Sequence, residues 1–153
     1  MSEALRVGIA GLGTVGASVA RVLAEKADEL TRQCGRAITV TAVSARDRTR
    51  DRGVDLSGVQ WFDDPVALAR EADIDVFVEL MGGEDGPAKA SVQAALERGK
   101  HVVTANKALL SRSGVSLAAI AEKNGVLLNY EAAVAGGIPV IKTMRESLAG
   151  NSV

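Results

Sequence analysis

Short apolar runs alternate along the chain with longer stretches in which apolar residues recur every three or four positions. The short runs predict β-strands buried on both faces, and the longer stretches predict amphipathic helices. The predicted strands are residues 5–10, 38–43, 59–62, 74–80, 101–104 and 126–130. The predicted helices are residues 14 to about 34, 65–71, 87–98, 113–124 and 139–148. Gly99 and Gly125 follow two of these helices, where a left-handed residue commonly ends a helix.

This alternation of strand and helix is typical of βαβ units, in which helices join parallel strands. We therefore predict an α/β, Rossmann-like, doubly wound fold: a mainly parallel sheet with helices on both faces. Residues 44–57 interrupt the pattern with many Arg and Asp residues and few apolar ones, so we predict a loop there. The last predicted helix has an apolar stripe that requires a packing partner: Ile138, Ile141, Met144 and Leu148.

A glycine-rich turn lies between the first predicted strand and the first predicted helix. Its residues fit the pattern G-x-G-x-x-G: Gly11, Leu12, Gly13, Thr14, Val15 and Gly16. In a dinucleotide-binding turn, the first glycine permits the tight turn, the second admits the pyrophosphate, and the third allows close helix–strand packing. Amides at the helix N-terminus then bind the phosphates. The alternative is a tight turn without a ligand, but the strand–turn–helix context favours a dinucleotide.

The residues after the second strand bear on which dinucleotide would bind. Rossmann folds that bind NAD usually have an acid there for the ribose 2′-hydroxyl, whereas this chain has Ser44, followed closely by Arg46 and Asp47. A guanidinium binds a 2′-phosphate in bidentate fashion, so we predict NADP with Arg46 as a ligand. NAD is the alternative, since Asp47 could contact a ribose if the loop folds back. In a third interpretation these charges form only a solvated loop.

Composition narrows the classes of function. The 153 residues suffice for one compact domain, and a formal net charge of −1 points to neither nucleic acid nor a membrane as a partner. Cys34 is the only cysteine, which excludes an internal disulfide and fits a reducing, cytoplasmic setting. The start of the chain does not fit a signal peptide, and no apolar run approaches the roughly 20 residues needed to span a bilayer. The single histidine, His101, is expected to be structural.

Three further segments carry a family resemblance: VFVELMGG at 76–83, GKHVVTANKALL at 99–110 and YEAAVAGGIPVI at 130–141. Together with the glycine-rich turn, and in the same order, they resemble the N-terminal half of homoserine dehydrogenases. The resemblance implies an NAD(P)-dependent oxidoreductase that interconverts homoserine and aspartate semialdehyde, a step towards threonine, methionine and isoleucine. It also implies a homodimer at full length.

The resemblance implies a division of the chain. Residues 1–131 would form the NAD(P)-binding domain, and residues 132–153 would begin a substrate and dimerisation domain whose remainder is absent. Because the expected substrate ligands have no counterpart here, we expect the chain alone to bind cofactor without turnover. Two alternatives stay open: a dinucleotide-binding regulatory module without catalysis, and another small dehydrogenase built on the same domain.

The resemblance also assigns roles near the nicotinamide. Lys107 matches a lysine between nicotinamide and substrate that is implicated in catalysis, where an amine or ammonium can polarise the substrate hydroxyl or shuttle its proton. Independently of the resemblance, Gly82 and Gly83 follow the fourth predicted strand, where they would let the backbone pass close to the cofactor. The alternatives are a solvated lysine at the end of a strand and a plain glycine turn.

A monovalent-cation site is implied in the third segment. Glu131, Val134, Gly136 and Ile138 match residues that bind an ion such as sodium through one carboxylate and backbone carbonyls. Hard cations prefer oxygen ligands, and a glycine-containing turn can direct several carbonyls inward. Such an ion would brace the joint between the two domains. The alternative is a turn at the start of a helix, in which Glu131 accepts hydrogen bonds from amides.

Overall fold

Six parallel strands form one sheet in the computed structural model, which describes residues 3–148 and Gly150. They are β1 (Leu5–Ala10), β2 (Ile38–Ser44), β3 (Gln60–Phe62), β4 (Val76–Glu79), β5 (His101–Thr104) and β6 (Leu128–Asn129). Their order across the sheet is β3-β2-β1-β4-β5-β6, with every neighbouring pair parallel. In sheets of this order the ligand lies where the winding reverses, between β1 and β4. The predicted Rossmann-like fold is confirmed.

Helices pack on both faces of this sheet. The helices among the described residues are α1 (Thr14–Glu25), α2 (Ala27–Cys34), α3 (Pro65–Glu71), α4 (Pro87–Glu97), α5 (Lys107–Lys123), α6 (Glu131–Val134) and α7 (Val140–Lys142), and a π-helical turn, Thr143–Ser147, follows α7. Successive strand residues point to opposite faces. Phe77 therefore packs in the core beneath α3, α4 and α5, whereas Val78 packs in a second core with Ala20 of α1. No helix among the described residues is long and apolar enough to cross a bilayer.

The amino edge of the sheet is tied together by Arg6 of β1. Its guanidinium donates from Nε and Nη2 to the two carboxylate oxygens of Asp75, at 3.1 and 2.8 Å, and also pairs with the exposed Asp73. The backbone amide of Arg6 donates to Asp75 as well, at 2.8 Å. These bonds hold the pKa of Asp75 below its usual value. They join β1 to the start of β4 at the edge opposite the ligand side.

The first predicted helix is two helices, so the single element predicted for residues 14–34 is wrong. Lys26 leaves the helical region, with φ −105° and ψ 19°, and α2 begins at the next residue. Asp28 and Glu29 then lie in the first turn of α2. Carboxylates stabilise the positive end of a helix, which favours a new start there.

The predicted start of α5 at residue 113 is also wrong, because the helix begins at Lys107. The Asn106 side chain caps this start by accepting from the Leu109 amide at 3.1 Å. The buried face repeats every four residues through Leu109, Ser113, Leu117 and Ala121. A serine on this face breaks the apolar pattern that sequence interpretation depends on.

Other predicted elements differ mainly at their ends. The final helix predicted for 139–148 is only the short α7 and the π-helical turn, and α6 was not predicted. Ile138 and Met144 of its apolar stripe are exposed. The predicted loop is confirmed from residue 45 onward, since Ser44 belongs to β2. Gly99 and Gly125 have φ of 72° and 64°, which confirms the left-handed ends of the two helices before them. The last three residues of the chain lie outside the described residues.

Candidate functional site

A cleft of about 650 Å³ lies at the carboxyl edge of the sheet, where β1 and β4 end side by side. Its walls come from the glycine-rich turn, the loop after β2, the residues after β3 and the segment after β4. The lining residues include Gly11, Leu12, Gly13, Arg46 and Met81. The cleft therefore occupies the point where the strand order reverses, which is the usual ligand position in this architecture.

Two glycines of the turn are required by close packing. Gly11 has φ 97°, and a Cβ there would lie 2.7 Å from the backbone carbonyl of Leu80. A Cβ on Gly16 would lie 1.8 Å from the Gly11 carbonyl oxygen, so α1 could not approach β1 as closely. Gly13 differs, because nothing lies within 4 Å of its Cβ position. Its missing side chain leaves open space beside the cleft.

The open space at Gly13 lies at the N-terminus of α1. Gly13 is the N-cap residue and provides no side-chain cap, and the first helical bond runs from the Ala17 amide to the Gly13 carbonyl at 2.9 Å. The amides of Thr14, Val15 and Gly16 have no hydrogen-bond acceptor among the described residues. Free amides at the positive end of a twelve-residue helix fit a phosphate group. The residues of this turn therefore fit a dinucleotide pyrophosphate.

The loop after β2 provides cations at the wall of the cleft. Arg46 and Arg50 line the cleft and are exposed. Neither guanidinium has a hydrogen bond or an ion pair among residues 3–148. Ser44 is buried, and its carbonyl accepts from the Gly11 amide at 2.8 Å, which fixes the start of the loop against the turn.

Asp47 also lines the cleft, but its carboxylate is engaged within its own loop. The amide and the hydroxyl of Thr49 donate to Asp47 Oδ1 at 2.9 and 2.8 Å. These bonds hold the pKa of Asp47 below its usual value. The aspartate thus stabilises the loop conformation that carries Arg46 and Arg50.

A buried carboxylate, which sequence interpretation missed, organises the segment after β4. Glu79 is 0% exposed. Its Oε1 accepts from the amides of Met81 and Gly82 at 2.8 and 3.1 Å, and its Oε2 accepts from the Thr104 hydroxyl at 2.6 Å. Polar groups buried this deeply require such hydrogen bonds to replace their hydration. The sequence feature that could have identified Glu79 is an acid at the end of an otherwise apolar strand, Val76–Glu79.

The hydrogen-bond network continues to the start of α5. Thr104 Oγ1 accepts from the Asn106 amide at 3.0 Å, and Asn106 Nδ2 donates to the Gly83 carbonyl at 2.6 Å. Asn106 thereby joins the loop after β4 to the helix that it caps. Lys107 is the next residue, exposed, and has no ion pair among the described residues.

The predicted site residues are therefore only partly gathered in the cleft. Gly11, Leu12, Gly13 and Arg46 line it, and Thr14 lines an adjoining cavity of about 270 Å³. Gly83 and Lys107 do not line the cleft. They lie next to it, since Gly83 follows the lining residue Gly82 and Asn106 connects Gly83 with the start of α5. Val15 and Gly16 contribute the helix N-terminus behind the turn.

The segment predicted to bind a cation forms α6 and the turn after it. Glu131 accepts from the Ile141 amide at 3.0 Å and the Lys142 amide at 3.3 Å, one through each carboxylate oxygen. Carboxylate oxygens have further lone pairs, so these bonds do not saturate them. The carbonyls of Val134 and Gly136 accept no hydrogen bond among the described residues, whereas that of Ile138 accepts from Val140. Glu131 thus makes the amide hydrogen bonds of the alternative, a helix-starting turn.

Other residues singled out in the sequence have structural environments. His101 accepts from the Leu127 amide through Nδ1 at 3.0 Å, between β5 and the segment before β6. Cys34 is exposed at the end of α2. Within the described part of the chain, no group of three or more His, Cys, Asp or Glu residues could hold a metal ion.

Comparison with known proteins gives a consistent picture. Residues 11–131 match the family model described as the NAD-binding domain of homoserine dehydrogenase. Homoserine dehydrogenase of Neisseria gonorrhoeae is 45% identical over 149 residues, and the match covers 97% of this chain and 34% of that protein. Homoserine dehydrogenase of Pseudomonas aeruginosa is 46% identical over 151 residues, with the same coverage. The chain thus spans about a third of the length of these curated relatives.

Solved structures resemble the fold closely. A homoserine dehydrogenase from Thiobacillus denitrificans superimposes with a TM-score of 0.87 at 42% identity, covering 97% of this chain and 34% of that one. A hyperthermophilic archaeal homoserine dehydrogenase in complex with NADPH gives a TM-score of 0.78 at 26% identity, covering 97% and 50%.

Proposed function

The chain belongs to the homoserine dehydrogenase family, whose NAD-binding domain it matches, and we propose that it binds NADP in the cleft and contributes Lys107 to hydride transfer in a longer enzyme. One observation carries this proposal: the open space at Gly13 above the free amides of α1, at the junction of β1 and β4. A phosphate-bearing ligand is the chemistry that such an arrangement favours.

The proposed cofactor is NADP rather than NAD. Arg46 and Arg50 have unpaired guanidinium groups at the cleft wall, within the described residues, and a guanidinium binds a phosphate through two parallel hydrogen bonds. The acid nearest to the end of β2, Asp47, is engaged by Thr49. An archaeal homoserine dehydrogenase of this fold is known in complex with NADPH, which supports NADP as a ligand. NAD is the alternative ligand of the same turn.

The proposed reaction interconverts the hydroxyl of homoserine and the aldehyde of aspartate semialdehyde. When bound, the nicotinamide supplies the chemistry of accepting or returning a hydride. The role we assign to Lys107 is at the substrate oxygen, where an amine or ammonium polarises the hydroxyl or shuttles its proton as hydride leaves carbon. Asn106 caps the helix that begins at Lys107, so the network of Glu79, Thr104 and Asn106 would hold this amine in place.

We propose that residues 1–131 are the NAD(P)-binding domain and that residues 132–153 begin a substrate and dimerisation domain. The homology covers about a third of the relatives' length, so most of the substrate-binding residues would lie elsewhere in a full-length homodimer. On this account the isolated chain binds cofactor and does not oxidise homoserine, because the substrate is not held in position for hydride transfer. A monovalent ion such as sodium at Glu131, Val134, Gly136 and Ile138 would brace the joint between the domains.

A calorimetric titration of the chain with NADPH and with NADH tests the proposed cofactor. We expect NADPH to bind at least about tenfold more tightly, the effect of one charge-assisted hydrogen bond to phosphate. Arg46→Ala should weaken NADPH binding and leave NADH binding nearly unchanged. Tighter binding of NADH by the parent chain, with no effect of Arg46→Ala, would contradict the assignment to NADP.

A further inference from the structure

Arg52 connects the loop after β2 with the glycine-rich turn. Its Nε donates to the Leu12 carbonyl at 3.1 Å, across forty positions of sequence. Its Nη1 donates to the Arg50 carbonyl at 2.7 Å, and its Nη2 donates to the Asp47 carbonyl. Each nitrogen of this guanidinium thus holds a different backbone oxygen, and the loop is fastened to the turn.

An aromatic ring supports this arginine from the other side. The Arg52 guanidinium lies 5.4 Å from the centroid of the Trp61 ring, and that of Arg48 lies 5.8 Å from it. The ring is itself oriented by its indole N–H, which donates to Asp63 at 3.1 Å. A cation over an indole face is favourable at these distances. Arg52 is therefore held in place independently of any ligand.

The loop contains an arginine at every second position, and these four residues form two pairs. Arg48 and Arg52 cover Trp61. Arg46 and Arg50 line the cleft, and within the described residues their guanidinium groups have no partner. Four like charges within seven residues of one loop repel each other. The contacts of Arg52 oppose this repulsion and keep Arg46 and Arg50 on the cleft side.

We infer that Arg52 is a positioning residue for recognition of the 2′-phosphate: it holds the loop so that Arg46 and Arg50 already line the cleft before NADP binds. The inference rests on the proposed binding of NADP. A preformed pair of cations loses less conformational entropy on binding than a mobile pair, and this raises affinity for the ligand that carries the additional phosphate. Binding of NADH, which lacks that phosphate, depends less on this arrangement.

Arg52 itself also lines the cleft, so a direct contact with phosphate is the competing explanation. Substitution with lysine separates the two. Lysine keeps the charge and can still bind phosphate, but a single ammonium cannot reproduce the planar fork that reaches three carbonyls. A direct-contact role therefore predicts that Arg52→Lys retains the preference for NADPH, and a positioning role predicts that the preference is lost.

The experiment titrates the 153-residue chain with NADPH and NADH in four forms: parent, Arg52→Lys, Arg46→Lys and Arg48→Lys. Arg48→Lys is the matched control, because Arg48 covers the same ring without contacting Leu12. We expect Arg52→Lys to weaken NADPH binding by about tenfold, the scale of a lost charged contact. NADH binding should change by less than about twofold. Arg48→Lys should leave the NADPH-to-NADH ratio of affinities unchanged, and Arg46→Lys should reduce it less than Arg52→Lys does.

Trp61 is the only tryptophan, so its emission reports on the loop without any ligand. In Arg52→Lys we expect emission shifted towards that of a solvated indole, with greater quenching by iodide. Far-UV circular dichroism and retained NADH binding verify the fold of each variant.

An unchanged ratio of NADPH affinity to NADH affinity in Arg52→Lys would overturn the inference. An equal fall in affinity for both ligands would also overturn it, because Arg52 would then stabilise only the glycine-rich turn. The proposal that NADP is the cofactor is tested separately by the parent chain. If the parent chain bound NADPH no more tightly than NADH, both that proposal and the inference about Arg52 would be wrong.

Discussion

The Thr104 hydroxyl donates a 2.6 Å hydrogen bond to the Glu79 carboxylate at the carboxyl edge of the sheet. Thr104 ends β5 and Glu79 ends β4, so this bond joins the two strands beside the cleft. Glu79 also accepts from the Gly82 amide, and Thr104 accepts from the amide of Asn106, which caps α5. The bond therefore links the segment after β4 with the start of α5. The position of Lys107 thus depends on a buried polar network that includes none of the predicted site residues except Gly83.

The first prediction concerns the stability that Glu79 contributes. Glu79→Ala would remove the acceptor of the buried Thr104 hydroxyl and of the Met81 and Gly82 amides, so we expect the free energy of unfolding to fall by about 2–4 kcal/mol. Glu79→Gln retains an acceptor for the Met81 and Gly82 amides and should lose less. Urea denaturation measures both. Exposed Glu122 of α5 provides the control, and Glu122→Ala should change stability by less than about 0.5 kcal/mol. Equal effects of the two alanine variants would show that the network is not stabilising.

The second prediction concerns pH and the amino edge of the sheet. The pKa of Asp75 is lowered mainly by its hydrogen bonds with Arg6, so its contribution is fully present above the carboxyl's ordinary pKa, near 3.9. That contribution is lost as pH falls further, through the lowered folded-state pKa. Asp75→Asn should destabilise the chain by about 1–2 kcal/mol at pH 7 and reduce the acid dependence of its stability.

Asp73 is the matched control for this pair, because its side chain is 86% exposed although it also contacts Arg6. Asp73→Asn should therefore have little effect on unfolding at any pH. Thermal unfolding followed between pH 2 and pH 7 makes the comparison. If Asp75→Asn showed the same loss of stability on acidification as the parent chain, the proposed linkage would be wrong.

The elements best predicted from sequence have signals that are local. The bounds of α3 agree with the prediction because Asp64 caps its start, by accepting from Val66 and Ala67, and Pro65 begins it. The strands β1 and β5 agree because each is a short apolar run that ends at a turn or cap. The glycine-rich turn was also identifiable, since both its spacing and its context lie within one βα unit.

The residues whose roles were not predicted from sequence act through contacts with residues far away in the chain. Glu79 accepts from Thr104, twenty-five positions away, and Arg52 donates to Leu12, forty positions away. No periodic pattern in the sequence indicates a contact between residues so far apart. In the sequence, Glu79 indicates only the end of a strand, and Arg52 among other arginines indicates a solvated loop. The contributions of such residues emerge only once the sheet brings them together.

The third prediction concerns Lys107 in an enzyme where this domain is joined to its substrate domain. If its amine moves the hydroxyl proton, Lys107→Ala should reduce turnover by roughly 10²–10⁴-fold. NADPH affinity should change far less, because the phosphates would bind at the glycine-rich turn. Lys107→Arg should not restore turnover, since a guanidinium stays protonated and differs in shape. Steady-state kinetics at saturating cofactor, with a separate NADPH titration, distinguish a role in turnover from one in binding alone. Loss of NADPH affinity with turnover preserved would make Lys107 a binding residue only.

The fourth prediction concerns the proposed cation site. Sodium at ten times its dissociation constant should stabilise the folded chain by about 1.4 kcal/mol relative to choline at equal ionic strength. Glu131→Gln should remove this difference, because it removes the charged ligand. Thermal midpoints in the two salts provide the measurement. Identical midpoints in sodium and choline for the parent chain would leave Glu131 with only its bonds to Ile141 and Lys142.

The most direct test of the account is calorimetric titration of NADPH into the parent chain and into Gly13→Ala. A Cβ at Gly13 meets no atom within 4 Å and φ there is −71°, so the fold should tolerate alanine while the methyl group occupies the space proposed for the pyrophosphate. Gly137→Ala is the control, since a Cβ there also meets nothing within 4 Å, far along the chain from the turn. We predict that NADPH binds the parent and Gly137→Ala alike and binds Gly13→Ala at least about tenfold more weakly, with unfolding unchanged. Equal NADPH affinity in all three proteins, or no binding by the parent, would contradict the account.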